Sequence, residues 1–267
     1  MTVLITGCST GIGRATALRL VRSGRTVVAT ARRVETLDEL RDAGCRVMAL
    51  DVTDEASMVE AVSGLEVDVL VNNAGYSQSG ALETLDMDSV RRQFETNVFG
   101  LLRMCQLVLP GMRSRGSGKI VNVSSMGGRL VFPGGGAYHA TKYAVEALSD
   151  ALRMEVGRFG IDVICVEPGL IRTEFGSTAA SGVADSDGPY AEFNAAVARS
   201  TRDVYSGPLS RLGGDADSVA RAIEGALSAR RAPTRVPVTP SARLMMGLRR
   251  VLPDRAWDRV VGSAFRG

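Results

Sequence analysis

The residues best suited to do chemistry are Tyr138 and Lys142, four positions apart, with two serines, Ser124 and Ser125, upstream of them. On a helix that spacing brings the two side chains onto one face, a turn from each other. A tyrosine hydroxyl with an ordinary pKa of about 10 is a poor acid or base at neutral pH, and a cation one turn away lowers that value by stabilising the phenolate. Each unit of depression corresponds to ~1.36 kcal/mol of differential stabilisation. A hydroxyl tuned in this way can exchange a proton with a carbonyl or alcohol oxygen, and a nearby serine hydroxyl could hold the same oxygen. A Tyr/Lys pair alone is common on solvated helix faces, so its weight depends on the elements around it.

Those elements alternate. Val3 to Thr6 is a short apolar run ending in Thr6-Gly7-Cys8-Ser9-Thr10-Gly11-Ile12-Gly13, and Ala15, Leu18, Leu20 and Val21 then give a helical pattern. In a strand, glycine loop and helix, the glycines allow the backbone to approach a pyrophosphate, and the helix N-terminus attracts its charge. Strands are expected at 25–30, 45–50, 67–72, 119–124 and 161–166, with helices at 34–43 and 53–63, the latter capped by Thr53. A long helical pattern runs from Asp86 to Arg115 with Asn97 inside it, and the tyrosine helix extends to about Val156. This order implies a single doubly wound α/β domain over residues 1–267, of Rossmann type. Its parallel sheet would have about seven strands, with helices on both faces.

With these motifs on the page, the chain resembles the short-chain dehydrogenase/reductases over essentially its whole length. The family pattern is Thr-Gly-x-x-x-Gly-x-Gly, which Thr6 to Gly13 match, and a Tyr-x-x-x-Lys pair with a serine thirteen residues before the tyrosine, which selects Ser125. The resemblance implies a tetrad of Asn97, Ser125, Tyr138 and Lys142. In it Tyr138 is the acid/base, Lys142 its tuner, Ser125 the oxygen-holding partner and Asn97 the support of a proton relay. It also implies a nicotinamide dinucleotide held by Gly7, Ser9, Thr10, Gly11, Ile12 and Gly13, by the adenine-side pair Asp51-Val52, and by Asn73-Ala74-Gly75. Pro168, Gly169, Ile171 and Thr173 would hold the nicotinamide end, together with Tyr138 and Lys142. Glu167 before the proline resembles the steroid and retinol dehydrogenase-like branch.

Cofactor choice turns on the end of the second strand. Ala31 stands where an acid would select the unphosphorylated ribose, and Arg32 follows, which favours NADP(H), with NAD(H) as the alternative. Thr10 occupies the place of the family's usual second basic residue. The segment 174–212 lacks clean periodicity and carries Phe175, Tyr190, Phe193 and Tyr205, so it reads as a lid over a lipophilic substrate. Met126, Leu130, Phe132 and Phe175 are the candidate substrate contacts.

Composition narrows the rest. The 267 residues carry a net charge of +3 and 45% hydrophobic side chains, the range of a globular protein. The N-terminus lacks the pattern of a signal peptide, and no apolar run reaches the ~20 residues of a membrane span, which implies a cytoplasmic protein. Four scattered cysteines and a single histidine offer no metal site and no disulfide framework. Residues 228–267 contain nine arginines against two acids, and 241–267 within that stretch read as a basic helical segment. Solvated arginines on helices packed against the domain are the preferred reading over contact with a membrane surface. Nucleic-acid binding is not expected at this charge without a recognition motif.

The expected function is therefore an NADP(H)-dependent oxidoreductase interconverting a carbonyl and a secondary alcohol. Homodimers or homotetramers are the family's usual assemblies. The competing classes are a catalytically weak NADP(H)-binding sensor or scaffold, and a membrane-surface adaptor working through the arginine-rich helices.

Overall fold

The computed structural model describes residues 1–172, 188–206 and 212–262. Seven strands form one parallel sheet, whose central strands are short runs rich in Val, Ile and Leu, as burial on both faces requires, while the two edge strands are more exposed. They are β1 (Thr2–Ile5), β2 (Thr26–Ala31), β3 (Arg46–Ala49), β4 (Val69–Asn72), β5 (Gly118–Val123), β6 (Ile161–Glu167) and, after a short β7 (Ile171–Arg172) and β8 (Gly214–Asp215), β9 (Arg235–Pro237). The order across the sheet is β3-β2-β1-β4-β5-β6-β9, and β7 pairs with β8 separately. The chain reverses its winding between β1 and β4, the place where such sheets open a crevice at their carboxyl edge.

Side chains alternate between two cores. Val3, Ile5, Val27, Val69, Val121 and Ile164 face α1 (Gly11–Arg22), the short α2 (Asp38–Asp42) and α8 (Ala216–Ser228). Leu4, Val28, Leu70, Ile120 and Val163 face α3 (Glu55–Val62), α5 (Leu101–Arg115) and α6 (Gly136–Val156). The remaining helices are α4 (Met87–Phe94), α7 (Ala191–Ser206), α9 (Pro240–Val251) and α10 (Asp254–Gly262). No helix among the described residues is long and apolar enough to cross a membrane.

Three local expectations are corrected. The helix at 55 is capped by Asp54, whose carboxylate accepts from the Ala56 and Ser57 amides, while Thr53 bonds back to Asp51. The pattern from 86 to 115 is not one α-helix, because Glu95–Gly100 widen into a π-helical segment between α4 and α5. Part of the stretch read as irregular is a regular helix, α7. Thr173, Phe175 and the lid residues 174–187 and 207–211 lie outside the described residues, as does the end of the basic segment, 263–267.

Candidate active site

At the carboxyl edge between β1 and β4 the chain is folded back on itself through glycine. Gly7 (φ 72°) and Gly11 (φ 57°) occupy the left-handed region that only glycine enters readily. The Thr6 hydroxyl accepts from the backbone amides of Asn73 and Ala74 at 3.0 Å each, and the Asn73 side-chain Nδ2 donates to the Thr6 and Gly7 carbonyls at 2.9 Å each. A Cβ on Gly13 would lie 2.3 Å from the Gly7 oxygen and 2.5 Å from Asn73 Nδ2. Gly13 and the Asn73 side chain therefore build the loop from behind. Thr10 precedes α1 without a side-chain cap, and the first turn holds no acid, so its N–H groups suit an anion. Arg14, which sequence reading passed over, ties the loop by donating to the Ser9 carbonyl and, at 3.1 Å, to the Thr36 carbonyl.

A cavity of about 1050 Å³ runs from this cradle along the carboxyl edge of the sheet. Ser9, Ala31, the exposed Arg32, Asp51 and Val52 line one end, and Gly7, Gly11, Ile12, Ala74 and Gly75 line the middle. Beyond them come Ser125, Tyr138, Lys142, Pro168, Gly169 and Ile171. The close-packed glycines and this elongated crevice fit a dinucleotide.

Tyr138 and Lys142 stand one turn apart near the start of α6, the ammonium 5.8 Å from the tyrosine ring centre. Lys142 is buried and donates to the Val123 carbonyl at 2.8 Å. Burial pulls its pKa down to about 8, against the opposing charge of Glu146. Ser125 follows β5 in extended conformation and accepts from the Gly127 amide at 3.0 Å.

Asn97 sits in the π segment, a feature often found at functional sites. Its Oδ1 accepts from the Tyr76 amide at 3.1 Å, and its Nδ2 donates to the Tyr76 carbonyl at 2.9 Å and to Thr141 Oγ1 at 3.1 Å. The side chain thus braces the strand-end loop against the tyrosine helix from behind the cavity wall. A Cβ on Gly75 would lie 3.0 Å from Asn97 Oδ1, so that glycine seals the wall between Asn97 and Lys142.

His139, the chain's single histidine, is a second brace. Its ring lies between Phe132 and Tyr138, with centroids at 5.9 and 5.6 Å, and its Nδ1 is 3.1 Å from the Gly127 carbonyl. Burial pushes its pKa down to about 4, so at neutral pH it is the uncharged ring.

Of the expected substrate contacts, Met126 and Phe132 line the cavity, and Phe175 lies outside the described residues. Leu130 is a correction. It is fully buried with Trp257 and Val261 in a separate small core, because α9 and α10 fold their apolar faces onto the loop after β5. Sequence reasoning missed Leu170, Val197, Leu244 and Met245, which complete the apolar wall. For Val197, Leu244 and Met245 the signal lay in the amphipathic patterns of α7 and α9.

Comparisons with known proteins agree with this geometry. A family model described as short chain dehydrogenase matches residues 1–183. Human retinol dehydrogenase 8 is 36% identical over 251 residues, covering 88% of this chain and 80% of its own. The crystal structure of a short-chain dehydrogenase from Streptomyces avermitilis is similar at 40% identity and a TM-score of 0.81, covering 97% of both chains. The closed form of serine dehydrogenase complexed with NADP+ is 30% identical at a TM-score of 0.77, over 90% of this chain and 95% of that one. A family member from Burkholderia phymatum in complex with NAD is 26% identical at 0.79, over 93% and 92%.

Proposed function

Because the chain belongs to the short-chain dehydrogenase/reductase family and is an oxidoreductase using a nicotinamide cofactor, we propose that it interconverts a carbonyl and a secondary alcohol on a lipophilic substrate with NADP(H). One observation carries this reading. Ser125, Tyr138 and Lys142 meet in a single cavity between a glycine cradle on one side and a largely apolar wall on the other.

The bound dinucleotide would supply the hydride that is exchanged with the substrate carbon. The chain's own groups handle the oxygen. Tyr138 gives the carbonyl oxygen its proton in reduction and takes it back in oxidation. Lys142, charged and buried beside the ring, stabilises the phenolate left behind. Ser125 donates a hydrogen bond to the same oxygen, and Asn97 supports the step by holding Tyr76 and Thr141 in place. Met126, Phe132 and Leu170 favour a ring or a long chain over a small polar sugar, since burying apolar surface contributes roughly 25 cal/mol per Å². Retinol dehydrogenase 8 is a relative whose named substrate is of that kind.

Arg32 supports the phosphorylated cofactor, because a guanidinium meets a 2′-phosphate through charge-assisted hydrogen bonds. A panel of aromatic and long-chain ketones and aldehydes, followed by NADPH absorbance, tests the reading. Oxidation of NADPH faster than NADH is expected, and Arg32→Asp should cut the NADPH catalytic efficiency by roughly 10-fold or more. Turnover of small sugars only, or equal efficiency with NADH in the unaltered protein, would overturn it.

A further inference from the structure

Lys142, Glu146 and Asp150 stand at successive four-residue steps of α6, so they share one face of that helix. Glu146 is 5% exposed, and Glu167, at the end of β6, is 2% exposed. The two carboxyl groups converge on a single nitrogen, Arg235 Nε. Every neighbouring element contributes a charged or titratable group. Arg235 from β9 places its Nε 3.1 Å from Glu146 Oε2 and 3.4 Å from Glu167 Oε1, and a second nitrogen 2.6 Å from Asp150. Arg129, from the loop after β5, is half exposed and 3.5 Å from Glu167. Arg153 holds the far side of Asp150 at 2.7 Å, and Cys165 of β6 faces Glu146.

The cluster is tightly closed. A Cβ on Gly128 would fall 2.9 Å from both Glu146 Cγ and Ser124 Oγ, so a glycine there lets the loop lie against the glutamates. Arg235 is shared among three carboxylates, and Glu146 Oε1 and Glu167 Oε1 are both left without a hydrogen-bond partner. Two adjacent carboxylates so placed repel, whereas one proton between them removes a charge and supplies the missing donor.

We propose that Glu146 and Glu167 share a single proton at neutral pH, and that the negative charge they retain is the counter-charge of Lys142, which makes Glu146 a positioning residue for the tyrosine step. The proposal rests on the roles given above to Tyr138 and Lys142. Burial penalises the lysine's charge, and Glu146 is the leading influence that opposes the penalty. Burial and Glu146 together raise Glu167 to about 7, which places the shared proton in the working range. A merely structural role, fastening β9 to α6 through Arg235, would leave the lysine's titration alone.

The chain allows a direct test, because Lys119 and Lys142 are its only lysines. In protein labelled with ¹³C-lysine, the Cε resonance of Lys142 can be titrated, with Lys119→Arg fixing the assignment. Glu146→Gln should lower the Lys142 midpoint by about one pH unit or more. Glu167→Gln, which leaves the pair's single negative charge on the glutamate one turn from the lysine, should leave the midpoint in place or raise it, and Glu146→Asp should restore it. In the reductive reaction the alkaline limb of kcat should move down with the lysine in Glu146→Gln, with cofactor affinity unchanged. An unmoved midpoint in Glu146→Gln, an equal shift in Glu167→Gln, or a uniform rate loss with no displaced limb would overturn the proposal. The titration needs no turnover, so a protein inactive on every carbonyl but showing the shift would fail the functional reading while supporting this one.

Discussion

The two ends of the cavity are made of different material. At the dinucleotide end the surface is main chain, held by Gly7, Gly11 and Gly13, by the Thr6 hydroxyl accepting from two backbone amides and by the Asn73 side chain donating to two carbonyls. At the other end it is side chain, from Met126, Phe132, Val197 and Leu244 on a loop and two helices that come late in the sequence. Main-chain geometry tolerates few residue types, because a Cβ at Gly13 has nowhere to go. An apolar wall accepts many, since what matters is volume and apolarity. One end is therefore suited to a fixed ligand and the other to a varying one.

Substitutions can break or sharpen this contrast. The largest effect is expected where the ends meet. Tyr138→Phe keeps the volume and removes the proton, so turnover should fall by roughly 10²–10⁴ while NADP+ binding by calorimetry stays within about twofold. Near-normal turnover would remove the tyrosine from its role.

His139 braces the same junction, and it couples the junction to acid. Its pKa is about 4 in the fold against about 6.5 in the unfolded chain, so the unfolded chain takes up the proton more readily. The stability it contributes is complete above pH 6.5 and is lost as pH falls towards 4, by about 3 kcal/mol at full extent. Thermal melts from pH 7 to 4 should show that decline, and His139→Gln should flatten it. An equally steep decline in the variant would show that other groups cause it.

Gly13→Ala tests the dinucleotide end alone. Forcing a methyl against the Gly7 carbonyl should cost ~1–3 kcal/mol, read as a loss of roughly 10- to 100-fold in NADP+ affinity. If affinity is retained, the cradle is softer than its contacts imply. The smallest effect belongs to Leu244, which is 58% exposed at the cavity. Leu244→Ser should raise KM for a long-chain substrate a few-fold, on the order of 1 kcal/mol of lost apolar contact, and leave NADP+ affinity untouched. A change in cofactor affinity there would blur the division between the ends.

The same contrast decides what could be read in advance. The glycine loop, the β–α alternation and the Tyr138/Lys142 spacing are local signals, each imposed by backbone geometry or helix periodicity. The widened turn at Asn97 was hidden, because six residues of π-helix carry the same hydrophobic pattern as the α-helices that flank them. Leu130 was misplaced because its partner, Trp257, lies 127 residues further along, and nothing local tells a cavity wall from a small core. Asp54 displaced Thr53 as a cap because both residue types suit the position, and Thr53 was drawn to Asp51 instead. Glu167 was visible only as a residue before a proline. Its meeting with Glu146 and Arg235 is a product of the folded sheet.

The pairing of β6 with β9 and the seating of α8 on α1 also bear on how the protein is made. Arg19 in the first helix reaches Asp217 at 3.0 Å and Glu224 at 3.1 Å, and the sheet's outer strand begins only at Arg235. On the ribosome the first two hundred residues would wait with part of one side of their sheet uncovered, since α8, which completes the cover begun by α1 and α2, has yet to be synthesised. Contacts this distant in sequence slow the final step and expose apolar surface meanwhile. A nascent chain arrested near residue 210 should bind chaperones and resist compaction, and release of the last fifty-odd residues should close the molecule in a single late event.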